Sequence, residues 1–280
     1  MQPLVRTRGT VVRPDCTLYY EVTGEGAGPA LIFAHGLGGN HMSWYQQVAH
    51  FAPRHRCVAF AHRGFHPSTH LDGGPDPDDY AEDLAALVGH LGIGDHVLIA
   101  QSMGGWTSVE YALGKPAGLK GVVLAATTGT IDPRKIAAEF KPAHAEWEAK
   151  SGPALAGFVA AGIHPAGGAR MAEEQPAVHL LYRHIDDQNA ALNKEALRSK
   201  LMHARHRAPE ELAGAGCPSL LIANDEDMVI SPPAMAAVAA ANANARLARI
   251  AKAGHSGYFE RPAEFNALVE GFLAELQARG

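Results

Sequence analysis

Cysteine is scarce in this chain. Three residues, Cys16, Cys57 and Cys217, are spread over 280 positions. Their odd number and wide spacing suggest neither a disulfide framework nor a zinc knuckle. Long apolar runs are missing too, so no segment reads as a bilayer span. The N-terminus carries polar and charged residues where a signal peptide needs its apolar stretch. Massed positive charge is also absent: the formal net charge is -5 and the basic residues are scattered. That excludes an electrostatic case for nucleic acid or an anionic membrane as partner. The expectation is a cytoplasmic protein whose partner is a small molecule, with a homodimer left open. Apolar residues, by contrast, make up 47% of the chain. A large core can be buried, and one α/β domain with an insertion fits better than two separate domains. No internal repeat is visible.

Strands and helices alternate along the first part of the chain. Segments 10–13 and 17–22 read as a hairpin turned through Pro14-Asp15. Segment 30–34 is wholly apolar, as a strand buried on both faces of a parallel sheet should be. A helical pattern follows over 42–51, then a strand over 56–61. A helix opens at Asp76 and ends near Gly92, with Leu84, Leu87, Val88 and Leu91 on one face. After a strand at 96–100 and a helix from Trp106, a strand at 121–126 closes this half. From 131 to 207 the text is helical, alanine-rich and punctuated at Gly152-Pro153, His164-Pro165, Gly167-Gly168 and Gln175-Pro176. About four short helices are expected there. Alternation then resumes with strands at 219–223 and 247–251 and helices at 233–241 and 262–276. The reading is an α/β core, 1–130 and 208–280, interrupted by a helical cap, 131–207.

The chain is organised around Ala100-Gln101-Ser102-Met103-Gly104-Gly105-Trp106. A serine between a strand end and a helix start, flanked two residues away by Ala100 and Gly104, has the layout of a nucleophile elbow. So tight a turn predicts a positive φ at Ser102, and larger flanking side chains would collide as strand and helix close together. It exposes the hydroxyl, with the Met103 N–H and a helix N-terminus beside any developing negative charge. A serine hydroxyl also needs a base, and the base an orienting acid. Asn224-Asp225-Glu226-Asp227 and Lys252-Ala253-Gly254-His255 each follow a strand, so their side chains can reach the same sheet edge. His255 is the candidate base. Asp225, Glu226 and Asp227 are candidate acids, with Asp132 a lesser rival.

Sixteen histidines are many for this length. His62, His66 and His70 are spaced as metal ligands on a helix would be, but Pro67 spoils that helix. His203 and His206 have no carboxylate or cysteine pattern to complete a site. No metal is expected.

Five pieces together resemble the α/β-hydrolase superfamily: His35-Gly36-Leu37-Gly38-Gly39, Arg63-Gly64-Phe65, Gln101-Ser102-Met103-Gly104-Gly105, Asp227 followed by Pro232, and Gly254-His255. The likeness covers nearly the whole chain, and all five stand in order at strand ends. It implies an α/β-hydrolase fold with a mostly parallel sheet and a helical cap, and no cofactor. It implies Ser102 as nucleophile, His255 as general base and then acid, and Asp227, in register with Pro232, as the orienting acid. The oxyanion hole would be the N–H groups of Leu37 and Met103, and His35 would support its loop. Two departures stand out. Ala100 replaces the first glycine of G-x-S-x-G, and Ala61 and His66 replace the aspartate and second glycine of D-x-R-G-x-G-x-S.

With Ser102 where dehalogenases and epoxide hydrolases carry aspartate, both of those reactions are excluded. The expected reaction is hydrolysis of a carboxylic ester or lactone, of a small apolar or aromatic substrate, through an acyl-serine intermediate. Phe140, Trp147, Phe158 and Tyr182 are the candidate pocket residues of the cap. A C–C bond hydrolase is an alternative, disfavoured because Ser256 rather than tryptophan follows His255. A non-turnover ligand receptor on the same fold is another.

Overall fold

The computed structural model describes residues 4–69 and 71–279. The first half runs β1 (Arg6–Val12), β2 (Thr17–Thr23), β3 (Ala30–Ala34), α1 (Tyr45–Phe51), β4 (Cys57–Phe60), α2 (Tyr80–His90), β5 (His96–Gln101), α3 (Gly104–Leu113) and β6 (Leu119–Ala125). Four helices follow without a strand between them: α4 (Lys141–Ala160), α5 (Gly168–Glu174), α6 (Pro176–Asp187) and α7 (Lys194–His203). The chain closes with β7 (Ser219–Asn224), α8 (Pro232–Ala240), β8 (Ala245–Ile250), α9 (Gly257–Glu260) and α10 (Pro262–Arg279).

The eight strands form one sheet in the order β1-β2-β4-β3-β5-β6-β7-β8. β2 pairs antiparallel with β1 and β4, and every other pairing is parallel. The central strands read as unbroken apolar runs because both faces are covered. Side chains of a strand point alternately to opposite faces. Ile32, Val58, Leu98, Val122 and Leu221 therefore join one cluster, with Leu84 and Leu87 of α2, Val109 of α3 and Val238 of α8. Leu31, Phe33, Val97, Ile99, Val123 and Leu220 join the other, with Phe51 of α1 and Phe265 and Val269 of α10. Burial at about 25 cal/mol per Å² on both faces makes this sheet a rigid platform for its C-terminal edge.

The short helix α9 has no counterpart in the sequence reading, β6 and β8 each begin two residues earlier than read, and two further elements differ more informatively. Strand β1 begins at Arg6, ahead of the apolar alternation, because an edge strand needs only backbone pairing to β2 and here buries just Val11, leaving the side chains of Arg6, Thr7 and Arg8 in solvent. Helix α4 runs as one piece through Gly152-Pro153, which reads in the sequence as a break. An internal proline removes one backbone hydrogen bond. The alanine-rich turns on either side hold the helix across that loss. At the ends of the helical insert, Ile131 and Arg207 pair as an isolated parallel bridge. Among the described residues, no helix is long and apolar enough to cross a membrane.

Candidate active site

Ser102 sits at the tip of the turn from β5 to α3 with φ 49°, in the left-handed region, as the elbow geometry requires. Its small neighbours are explained by contacts. A Cβ on Gly104 would lie 2.2 Å from the Ala34 carbonyl oxygen, and one on Gly105 would lie 2.2 Å from Thr127 Oγ1. Real Cβ atoms do not approach so closely, so glycine is what lets α3 start against β3 and the end of β6. Ala100 is fully buried and tolerated, so the departure from G-x-S-x-G leaves the turn intact.

The side chains that follow β7 and β8 meet at the same edge. His255 Nδ1 lies 2.9 Å from Asp227 Oδ2 and 3.1 Å from Oδ1. Asp227 Oδ1 also accepts the N–H groups of Val229, at 2.7 Å, and Ile230, at 2.9 Å. Both residues of the pair are almost fully buried. The rival acids are taken elsewhere. Asp225 pairs with Arg249, Glu226 with Arg170, and Asp132 with Arg134. The His255 carbonyl is held by two amides, Gln101 Nε2 and Asn224 Nδ2, each at 3.2 Å. Both stand in stretches the sequence analysis marks, but this role is not legible there, because a side chain bonding a backbone carbonyl far away in the chain leaves no local pattern.

Ser102 and His255 line one cavity of about 360 Å³. No hydrogen bond joins Ser102 Oγ to the imidazole in this structure; without a bound ligand such contacts are commonly long, and they tighten when substrate is bound. Leu37 and Met103 line the same cavity. Neither backbone N–H has a hydrogen-bond acceptor among the described residues, so both are free to receive one. The loop carrying Leu37 is fixed by His35, whose Nδ1 lies 2.8 Å from the Gly36 carbonyl and whose Nε2 accepts the His62 N–H at 3.0 Å. Complete burial pushes the His35 imidazole down to about 3 and His62 well below its ordinary value. Both rings are thus neutral props. His62 Nε2 lies 2.8 Å from Thr107 Oγ1. His70, the last of the spaced histidines, lies outside the described residues.

The helical insert covers the cavity with Leu155, His164, Tyr182, Asp186, Lys194, Arg198 and Leu201. Of the aromatic residues expected there, Tyr182 alone lines it. Trp147 is displaced by the need of its indole N–H for an acceptor: it donates to the Asp227 carbonyl at 2.7 Å and stacks on His144. Phe158 also lies outside the cavity wall, because α4 reaches it only at Leu155, and Phe140, just ahead of α4, lies outside it too. The polar wall was not anticipated. Burial favours protonation of the Asp186 carboxyl, but hydrogen bonds from His164 and Lys194 outweigh it and hold the group below its ordinary value.

Comparison with known proteins agrees with this architecture. Residues 31–268 match the model of the alpha/beta hydrolase family. A stretch of 129 residues is 32% identical to 3-oxoadipate enol-lactonase 2 of Acinetobacter baylyi, spanning 46% of this chain and 48% of that one, so the match covers about half the relative's length. The crystal structure of the enol-lactonase from Burkholderia xenovorans LB400 superposes with a TM-score of 0.73 at 25% identity, over 95% of this chain and 100% of the other. A malate-bound thermophilic esterase from Thermogutta terrifontis superposes at 0.74 with 24% identity, over 96% of this chain and 99% of that one, a likeness of fold. With the family model matched over most of its length and the sheet order and strand-end site in place, the chain belongs to the alpha/beta hydrolase family.

Proposed function

We propose that this protein is a serine hydrolase that cleaves a carboxylic ester or lactone through an acyl-serine intermediate. The observation that carries the reading is the Asp227–His255 pair, buried at the wall of the cavity that Ser102 lines. His255 takes the proton of Ser102 as Oγ attacks the carbonyl carbon, and Asp227 stabilises the imidazolium that forms. The tetrahedral oxyanion receives the N–H groups of Leu37 and Met103. As the carbon–oxygen bond to the leaving alcohol breaks, His255 returns the proton to it. Water, deprotonated by His255, then releases the acid and restores Ser102. The helical insert acts as the lid that excludes bulk water from this sequence of steps. The mostly apolar cavity and the enol-lactonase among the relatives support a small ester or lactone.

The test is turnover of a panel of aryl esters of graded acyl length, lactones and vinylogous diketones. An initial burst of alcohol, one per protein molecule, is expected with the aryl esters. Ser102→Ala and His255→Ala should each lower kcat by about 10⁴–10⁶-fold. Cleavage of diketones alone would replace the reading by carbon–carbon bond hydrolysis. Labelling of Ser102 by an acylating probe without multiple turnover would replace it by a receptor.

A further inference from the structure

The cavity wall contributed by the insert carries more positive charge than it neutralises. Lys194 is paired with Asp186 at 2.7 Å. Arg198 and Arg205 line the same cavity and form no salt bridge among the described residues. Arg205 is the more unusual of the two. Its Nε is buried without a hydrogen-bond partner, and its side chain donates to no protein acceptor among the described residues. Asp132, the carboxylate whose field it feels, is held on both oxygens by Arg134. The chain as a whole is net negative, so this cationic wall is local to the cavity.

Its geometry is also fixed. The Arg205 guanidinium lies over the Trp106 ring, with Cζ 5.0 Å from the centroid. That ring is locked in turn by Nε1, which donates to the Leu201 carbonyl at 2.9 Å. Ser102, Trp106 and Arg205 all line the same cavity, so the fork faces the space the nucleophile opens onto. The side chain is half-buried with only Nε cut off from a partner, and desolvation outweighs the field of Asp132 and pulls the guanidinium down to about 10, so a cation here is under-compensated. An aromatic face orients such a fork but does not neutralise it. The group that matches a planar fork in two parallel hydrogen bonds is a carboxylate.

We propose that the ester or lactone accepted here carries a free carboxylate, bound by Arg205 with Arg198 beside it. The inference rests on the hydrolase reading above and narrows its substrate to an apolar acyl segment ending in an anion. Leu37, Met103, Leu155, Val229 and Ile230 supply the surface for that segment.

The test compares the p-nitrophenyl half-ester of adipic acid with p-nitrophenyl hexanoate, its uncharged match. The wild-type protein should favour the half-ester in kcat/KM by about 10-fold or more. Arg205→Met should lower kcat/KM for the half-ester by about 10–100-fold, mainly through KM, the range expected for a charged hydrogen bond. Hexanoate should change by no more than about threefold, which also reports an intact fold. Arg205→Lys should restore part of the preference. A wild-type preference for hexanoate, or equal losses on both esters, overturns the proposal while leaving the hydrolase reading in place. If neither ester is turned over, calorimetric titration with adipate decides. Binding weakened at least about 10-fold by Arg205→Met supports the carboxylate site while the hydrolase reading falls; equal or absent binding in both proteins overturns the site as well.

Discussion

Asp227 shows how much one side chain can be asked to do. One oxygen accepts two backbone N–H groups, and both lie within reach of His255 Nδ1. Asparagine fills the same space but presents an amide, which cannot accept on both sides. It would favour the wrong imidazole tautomer and leave the imidazolium unsupported. Asp227→Asn should therefore lower kcat by about 10³–10⁴-fold with KM little changed, measured by steady-state hydrolysis of the preferred ester. An effect below about 10-fold would mean that the pair is structural. At this scale the sequence was partly legible. Ser102, His255 and Asp227 follow strands, and strand ends are recognisable from apolar runs. Arg198 and Arg205 were not, because an arginine on or after a polar helix looks like any solvated surface residue; the fold half-buries Arg205 against the cavity, while Arg198 stays exposed at its edge. Trp147 was misplaced for the converse reason: its size suggested a pocket, and its N–H found a carbonyl instead.

Elements position these residues through close backbone contacts. α3 starts against β3 because Gly104 has no side chain, and the Ala34 carbonyl occupies the space a Cβ would need. Gly104→Ala should destabilise the fold by about 3 kcal/mol, the upper range for overpacking, because backbone cannot step aside as a side chain can. The melting temperature should fall by about 6–10 °C, followed by circular dichroism. An unchanged melting temperature would show that the elbow can relax. Buried strands such as Ala30–Ala34 were legible to the residue, since burial on both faces leaves an unbroken apolar run. The edge strand β1 was shortened in the reading because its exposed, polar residues give no such signal. The continuity of α4 through Pro153 was hidden as well: proline marks a lost hydrogen bond locally, while the decision to continue is made by both flanking turns.

Across the whole molecule, the insert is tied to the core beside His255. Arg170 of α5 binds Glu226, Arg261 binds Glu174, and Gln175 Nε2 donates to the Glu260 carbonyl at 3.0 Å. The Glu260 side chain lies buried at this junction and accepts the Gly254 N–H through one oxygen, while the other has no partner. Burial raises its carboxyl to about 7 from an ordinary 4.5. A raised carboxyl favours the protonated native state. Its contribution is complete below the unfolded value near 4.5 and is lost as pH rises through 7. Glu260→Gln should thus be more stable than wild type at pH above about 8, by up to about 3 kcal/mol, with no advantage at pH near 4. Melting temperatures of both proteins across that range check the sign, and parallel curves would refute it. The catalytic reading of the whole assembly is tested most directly by intact-protein mass spectrometry after exposure to a fluorophosphonate. A single adduct, mapped to Ser102 and abolished in Ser102→Ala, is the predicted result; an unlabelled folded protein, or an adduct that persists in that variant, would contradict it.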